Sequence, residues 1–318
     1  MKKLLSTILL IPSLAFAWEP IKPITVISPV APGAGNEMSF RAVSSIIERA
    51  GKASFIVESK PGADNVIGIN HLAEQPANGY HAAAASCQST FVASDVHYND
   101  IIKFKPMELT LITNIGKSPL AFVANAKSSI NTVPDLIKAV KTRQVNFGTG
   151  GAGHQLALEY LIDKTGADRN FAQNIPYKGP LPAVTDAAAG VVEMAIVPTA
   201  VANTLLPTGK IKIIGIAGEQ KLAAFPDTPL MKDYVPGLNV SACWNIVLPK
   251  GAPPDVVKWY VDNFVPALRT PEYKKWADEN MIFIDPNAIG PEKVRKDMEQ
   301  LRAQWQPYVA KMPGPRTK

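Results

Sequence analysis

The chain has 318 residues, 47% of them apolar, with 33 basic and 27 acidic side chains. That much apolar material supplies more than one buried core. The charges are scattered without a basic run, which argues against a nucleic-acid surface.

At the N-terminus, Lys2 and Lys3 precede an apolar run from Leu4 to Ala17 that ends in Ala15-Phe16-Ala17. This reads as a secretory signal peptide cleaved after Ala17, its apolar part too short to span a bilayer. No cysteine follows the cleavage point, so lipid anchoring is not indicated. The mature chain then carries 31 basic against 27 acidic residues. It is expected to be soluble and exported.

Short β-rich runs follow in order: 23–28, 54–59, 81–86, 109–113, 120–125, 145–148, 193–197, 211–217 and 244–248. Helical patterns separate many of them. Over 38–50, apolar positions 42, 43, 46, 47 and 50 share one face. Over 131–141, Asn131 or Thr132 can cap a helix whose first turn suits Pro134. Beyond Pro253 the pattern is mainly helical. Strands alternating with helices predict an α/β fold with parallel sheets.

Two of the strand-to-helix connections are glycine-rich. The first is Pro32-Gly33-Ala34-Gly35, with Asn36 placed to cap. The second is Gly148-Thr149-Gly150-Gly151-Ala152-Gly153-His154. Each delivers backbone N–H groups at a helix N-terminus, where an anion is favoured, and glycine removes the Cβ that would block its approach. Glycine also serves βα turns for geometry alone; the pairing of two such loops favours binding.

Gly148, Gly150 and Gly153 match G-x-G-x-x-G, but a nicotinamide site needs an acid ending the next strand. Asp163 lies in the helix pattern and Asp168 precedes the next plausible strand, 174–177, so no cofactor is expected. The four histidines lack H-x-x-x-H or H-E-x-x-H spacing for zinc, and no G-x-S-x-G elbow occurs. His154 can donate to a carboxylate or cap its helix. Trp244 and Tyr177 can wall a pocket or pack in the core. Cys87 and Cys243 can pair in an exported protein, yet sequence cannot show that they meet; two buried thiols are the expectation.

Residues 18–42, WEPIKPITVISPVAPGAGNEMSFRA, resemble the opening of the Bug family of periplasmic solute receptors, the binding components of tripartite tricarboxylate transporters. The likeness continues through VESKPGADNVIGI (57–69), NGYHAAAAS (78–86), VNFGTGGAGHQLALE, IPYKGPLPAVTDAAAG (175–190), TGKIKIIGIA, FPDTPLM and WNIVLPKGAPPDVV, in family order. It implies two α/β lobes, each a mostly parallel sheet flanked by helices, closing like a Venus flytrap. Lobe 1 would be 18–119 plus 243–318, and lobe 2 would be 120–242.

The resemblance further implies a carboxylate held at Gly33, Ala34, Gly35, Asn36 and Glu37 and at Thr149, Gly150, Gly151, Gly153 and His154. Ser86 and Gln88 would point into the cleft. Departures from the family pattern bear on specificity. A Thr-Asp pair becomes Asn36-Glu37, placing an acid where an anion is expected, and Ala34 replaces a glycine at some cost in backbone freedom. Pro198-Thr199 stand where many members have a more polar Asp-Asn stretch. A less polar wall favours an aromatic or aliphatic mono- or dicarboxylate over citrate or an amino acid. The implied role is binding without catalysis: a monomeric periplasmic receptor serving an integral-membrane permease. Alternatives are a receptor feeding a periplasmic sensor kinase, and an exported carboxylate-processing enzyme.

Overall fold

The computed structural model describes residues 17–284 and 289–312. The signal segment up to residue 16 lies outside the described residues. The strands are β1 (Ile24–Ser28), β2 (Phe55–Ser59), β3 (His81–Ser86), β4 (Thr110–Asn125), β5 (Val145–Thr149), β6 (Ala172–Pro176), β7 (Met194–Pro198), β8 (Ile211–Ala217) and β9 (Ser241–Leu248). The α-helices are α1 (Gly35–Arg49), α2 (Val66–Ala73), α3 (Ser94–His97), α4 (Val133–Thr142), α5 (Ala152–Thr165), α6 (Pro180–Ala189) and α7 (Thr199–Asn203), followed by α8 (Pro254–Leu268), α9 (Pro271–Glu279) and α10 (Pro291–Val309).

The strands run in the order β2-β1-β3-β9-β4-β7-β5-β6, with β8 also on β4. The outer pairs β1–β2, β1–β3, β5–β6 and β5–β7 are parallel, as alternation with helices predicts. The centre is antiparallel, because β4 and β9 cross between the halves. The runs 109–113 and 120–125, read as two strands, fall along one 16-residue strand that begins at Thr110. Its Thr110–Pro119 stretch pairs with β9, whereas Leu120 onward pairs with β7 and β8.

Strands buried on both faces read as apolar runs without alternation. Val26 packs with Phe40, Val43, Tyr260 and Phe264 on one face of the first half. Its neighbour Ile27 packs with Ile69, Leu72 and Met298 on the other. In the second half, Phe122 joins Phe147, Leu156 and Leu161, while Val123 joins Val184 and Val197. Trp305 and Val309 of α10 enter the Phe122 core, with Trp305 lying 5.4 Å from Tyr160 of α5. The last helix therefore packs on both halves. At the other end of the chain, Trp18 stacks among Tyr80, Trp259 and Tyr260.

The expectation of two buried thiols is wrong: Cys87 and Cys243 form a disulfide, with Cα atoms 5.4 Å apart. The reason is register. Ser86 faces Trp244 across the β3–β9 ladder, so the next residues outward are also opposite one another. Closing 156 residues of chain stabilises by about 5 kcal/mol in the chain-entropy picture.

Candidate functional site

The first glycine loop leaves the carboxyl end of β1 and enters α1. Gly33 has φ +83, a conformation glycine adopts without strain. Ala34 is the N-cap at φ −76, which any residue adopts, so alanine there costs no backbone freedom after all, and it contributes no side-chain cap. Gly35 is required by proximity: a Cβ there would sit 2.4 Å from the Trp244 indole. Asn36 is buried and its Nδ2 donates to the Ala84 carbonyl at 3.0 Å, tying α1 to β3. Glu37 turns along its own helix, and its Oε1 accepts from Arg41 Nε at 2.7 Å. Its Oε2 is buried without a hydrogen-bond partner.

The second loop leaves β5 and enters α5. Thr149 Oγ1 donates to Asn174 Oδ1 at 2.6 Å, which fixes the loop to β6. A Cβ on Gly150 would lie 2.2 Å from the Gly179 carbonyl carbon, so only glycine allows that backbone to close in. Gly151 has more room; its nearest neighbour for a Cβ is Asp64 Oδ1 at 3.6 Å. Gly153 packs on the Gln88 side chain, which a Cβ would meet at 3.3 Å. His154 is buried and its Nδ1 accepts from the Gly150 N–H at 3.0 Å. Burial lowers its pKa to about 4, so the imidazole is neutral at pH 7. This contact ties His154 to its own loop.

Both loops reach the carboxyl end of β3. Ser86 ends that strand opposite Trp244, the residue against which Gly35 rests. Gln88 follows in a π-helical turn (Cys87–Ala93) and its Nε2 donates to the Ser241 carbonyl at 2.7 Å. Ser241 in turn pairs with Pro119 on the crossing strand. One residue earlier, Ser118 Oγ lies 3.2 Å from Thr199 Oγ1, and Pro198 pairs with Leu120. Thus Pro198 and Thr199 join the same region through β4. Trp244 belongs to the core of the first half, and Tyr177 donates its hydroxyl to Asp186 at 2.7 Å.

One contact escaped the sequence reading. Asp64 Oδ2 accepts from the Ala152 N–H at 3.2 Å, and Oδ1 accepts from Ser89 Oγ at 2.8 Å. An aspartate of the first half therefore caps the α5 helix of the second. The available signal was an acid inside the turn-like stretch Pro61-Gly62-Ala63-Asp64-Asn65; its partner lies 88 residues away. Two surface depressions, of about 910 and 550 Å³, are lined by residues around Asp163 and Lys311 and around Phe104 and Lys250. Neither includes a residue of the two loops. No helix among the described residues is long and apolar enough to cross a membrane.

Two α/β halves joined by crossing strands, with βα loops from each converging on the seam, define the fold of periplasmic binding proteins. The chain belongs to the tripartite tricarboxylate transporter family of receptors, whose family model matches residues 40–310. It is 29% identical to the protein BugT of Bordetella pertussis over 244 residues, covering 75% of this chain and 74% of that one. A Rhodopseudomonas palustris protein solved with adipate superposes with TM-score 0.85 at 19% identity, covering 93% of this chain and 99% of its own. The MatC protein of the same organism, solved with malate, gives 0.82 at 18% identity, covering 91% and 99%. The family is one of solute receptors and not of enzymes.

Proposed function

We propose that this protein is a periplasmic receptor that captures a small organic carboxylate between the 33–37 and 149–154 loops and delivers it to an integral-membrane permease. The observation that carries the reading is the convergence of the two loops on the end of β3, with the α1 N-terminus left uncapped by any side chain. Uncapped N–H groups at a 15-residue helix attract an anion. The adipate and malate bound by two proteins of this fold motivate the choice of carboxylates.

In this reading the lobes are 18–119 plus 243–318 and 120–242, hinged where β4 exchanges β9 for β7 and β8. Ligand touching both lobes favours the closed form, because only differential affinity shifts such an equilibrium. The chain acts as a monomer, exported by its first 17 residues, and needs no cofactor.

Thermal melts of residues 18–318 against mono-, di- and tricarboxylates, with NAD as the control, test the reading. Saturating ligand adds about 3–4 kcal/mol, which moves the melting point by several degrees. Gly151→Val fills the mouth of the second loop at a position where a Cβ meets nothing closer than 3.6 Å. The variant should keep its unliganded melting point and lose the carboxylate shift. No shift with any carboxylate, or a full shift in Gly151→Val, would count against the reading.

A further inference from the structure

The segment before α2 holds three consecutive residues in the left-handed region: Ala63 (φ 43), Asp64 (φ 47) and Asn65 (φ 84). None is glycine, so the conformation is costly and persists only because its surroundings fix it. Asn65 is buried, and its Oδ1 accepts from the Ser86 N–H at 3.4 Å. That contact anchors the segment to the end of β3. What the segment presents is the Asp64 carboxylate, held by the Ser89 hydroxyl from its own half and by the Ala152 N–H of α5 from the other.

Both contacts donate onto its carboxyl oxygens, so Asp64 acts as the acceptor in each. Burial outweighs the hydrogen bonds from Ser89 and Ala152 and the charge of His97, and leaves the Asp64 pKa raised above the usual carboxylate range. Tyr98 is pushed up to about 12, first by burial and then by the negative charge of Asp64. The amino end of α5 thus already carries one carboxylate, covalently part of the receptor. His154 takes the neighbouring Gly150 N–H as well. A ligand carboxylate arriving there meets like charge, and it competes with an intramolecular group at high effective concentration.

We propose that Asp64 is a specificity-determining residue: it fills the place of one ligand carboxylate at α5, so the receptor prefers a monocarboxylate, gripped at the α1 loop, over the dicarboxylate of equal length. This rests on the carboxylate-receptor reading above and narrows its substrate class. The rest of the ligand then extends as an uncharged tail.

Isothermal titration of the mature chain with matched pairs, hexanoate against adipate and benzoate against terephthalate, tests the assignment. Wild type should bind the monoacid of a pair at least tenfold more tightly. Asp64→Gly, which suits the left-handed backbone, and Asp64→Asn, which keeps the shape without the charge, should each gain at least tenfold for the diacid. A wild type that prefers the diacid, or a mono-to-diacid ratio unchanged within twofold in both variants, overturns the role of Asp64 while leaving the receptor reading intact. Absence of binding to every carboxylate in all three proteins removes both. Melting points of the variants, expected at or above wild type for Asp64→Gly, separate lost selectivity from lost fold.

Discussion

At the start of α1 the N-cap is Ala34, which offers no side-chain acceptor, and the acid of the first turn, Glu37, is drawn toward Arg41. At the start of α5 the N-cap is Gly151, equally without a side chain, yet two acceptors serve the loop: His154 Nδ1, from the first turn of α5 itself, on Gly150, and Asp64 Oδ2, from the other half, on Ala152. Both loops join a strand to a long helix through glycine. They differ in what has been brought to the orphan N–H groups by the rest of the fold. A glycine loop at a helix terminus is therefore a capacity for anions, and tertiary contacts decide whether that capacity stays free.

The largest test of the contrast is steric. Gly150→Val drives a Cβ into the Gly179 backbone, which has no rotamer to yield, and should cost about 3 kcal/mol or more. Gly35→Ala meets the Trp244 ring instead, where tilting relieves the clash, and should cost about 1–2 kcal/mol. Urea midpoints of the two variants decide; equal losses would mean that the loops are held with equal rigidity.

His154 supplies the next effect. Its folded pKa of about 4 lies below the unfolded 6.5, because burial disfavours the imidazolium. The unfolded chain thus binds the extra proton first. Stability is intact above pH 6.5 and falls as pH drops toward 4, by about 3 kcal/mol for that shift. His154→Asn offers Oδ1 to the Gly150 N–H in place of Nδ1 and does not titrate. The pH dependence of unfolding between 6.5 and 4 should flatten by that amount relative to wild type; parallel curves would show that His154 does not carry it.

Much of this architecture was legible. The runs at 81–86 and 211–217 are strands with those bounds, and the Thr132 cap forms with Asp135 closing a capping box. These features are local, written in propensity and capping chemistry. The antiparallel centre was not legible, since the partner exchange at residue 120 depends on strands about 75 to 120 residues further along the chain. The disulfide follows from a register between β3 and β9 that no spacing reveals. At the candidate site, the two glycine loops were readable as strand-to-helix connections. Asp64 was not, because its meaning lies in a contact across the seam.

The smallest effect concerns the acid at the open loop. Glu37 is nearly buried beside the uncapped terminus of α1, whereas Arg41, one turn on, is 59% exposed on its side chain. A pair with so exposed a partner contributes little to stability, within about 1 kcal/mol, and the helix dipole favours Glu37 in any case. Arg41→Ala should therefore lower the unfolding free energy by about 0.5 kcal/mol. Its effect on ligand should be larger in proportion, because the Glu37 charge then faces the proposed anion site without its counter-ion. A loss of several-fold in carboxylate affinity is expected, restored by adding Glu37→Gln to the same chain. Were the double variant as weak as Arg41→Ala alone, the arginine would be acting on the ligand itself, and the open terminus of α1 would have a second, cationic arm.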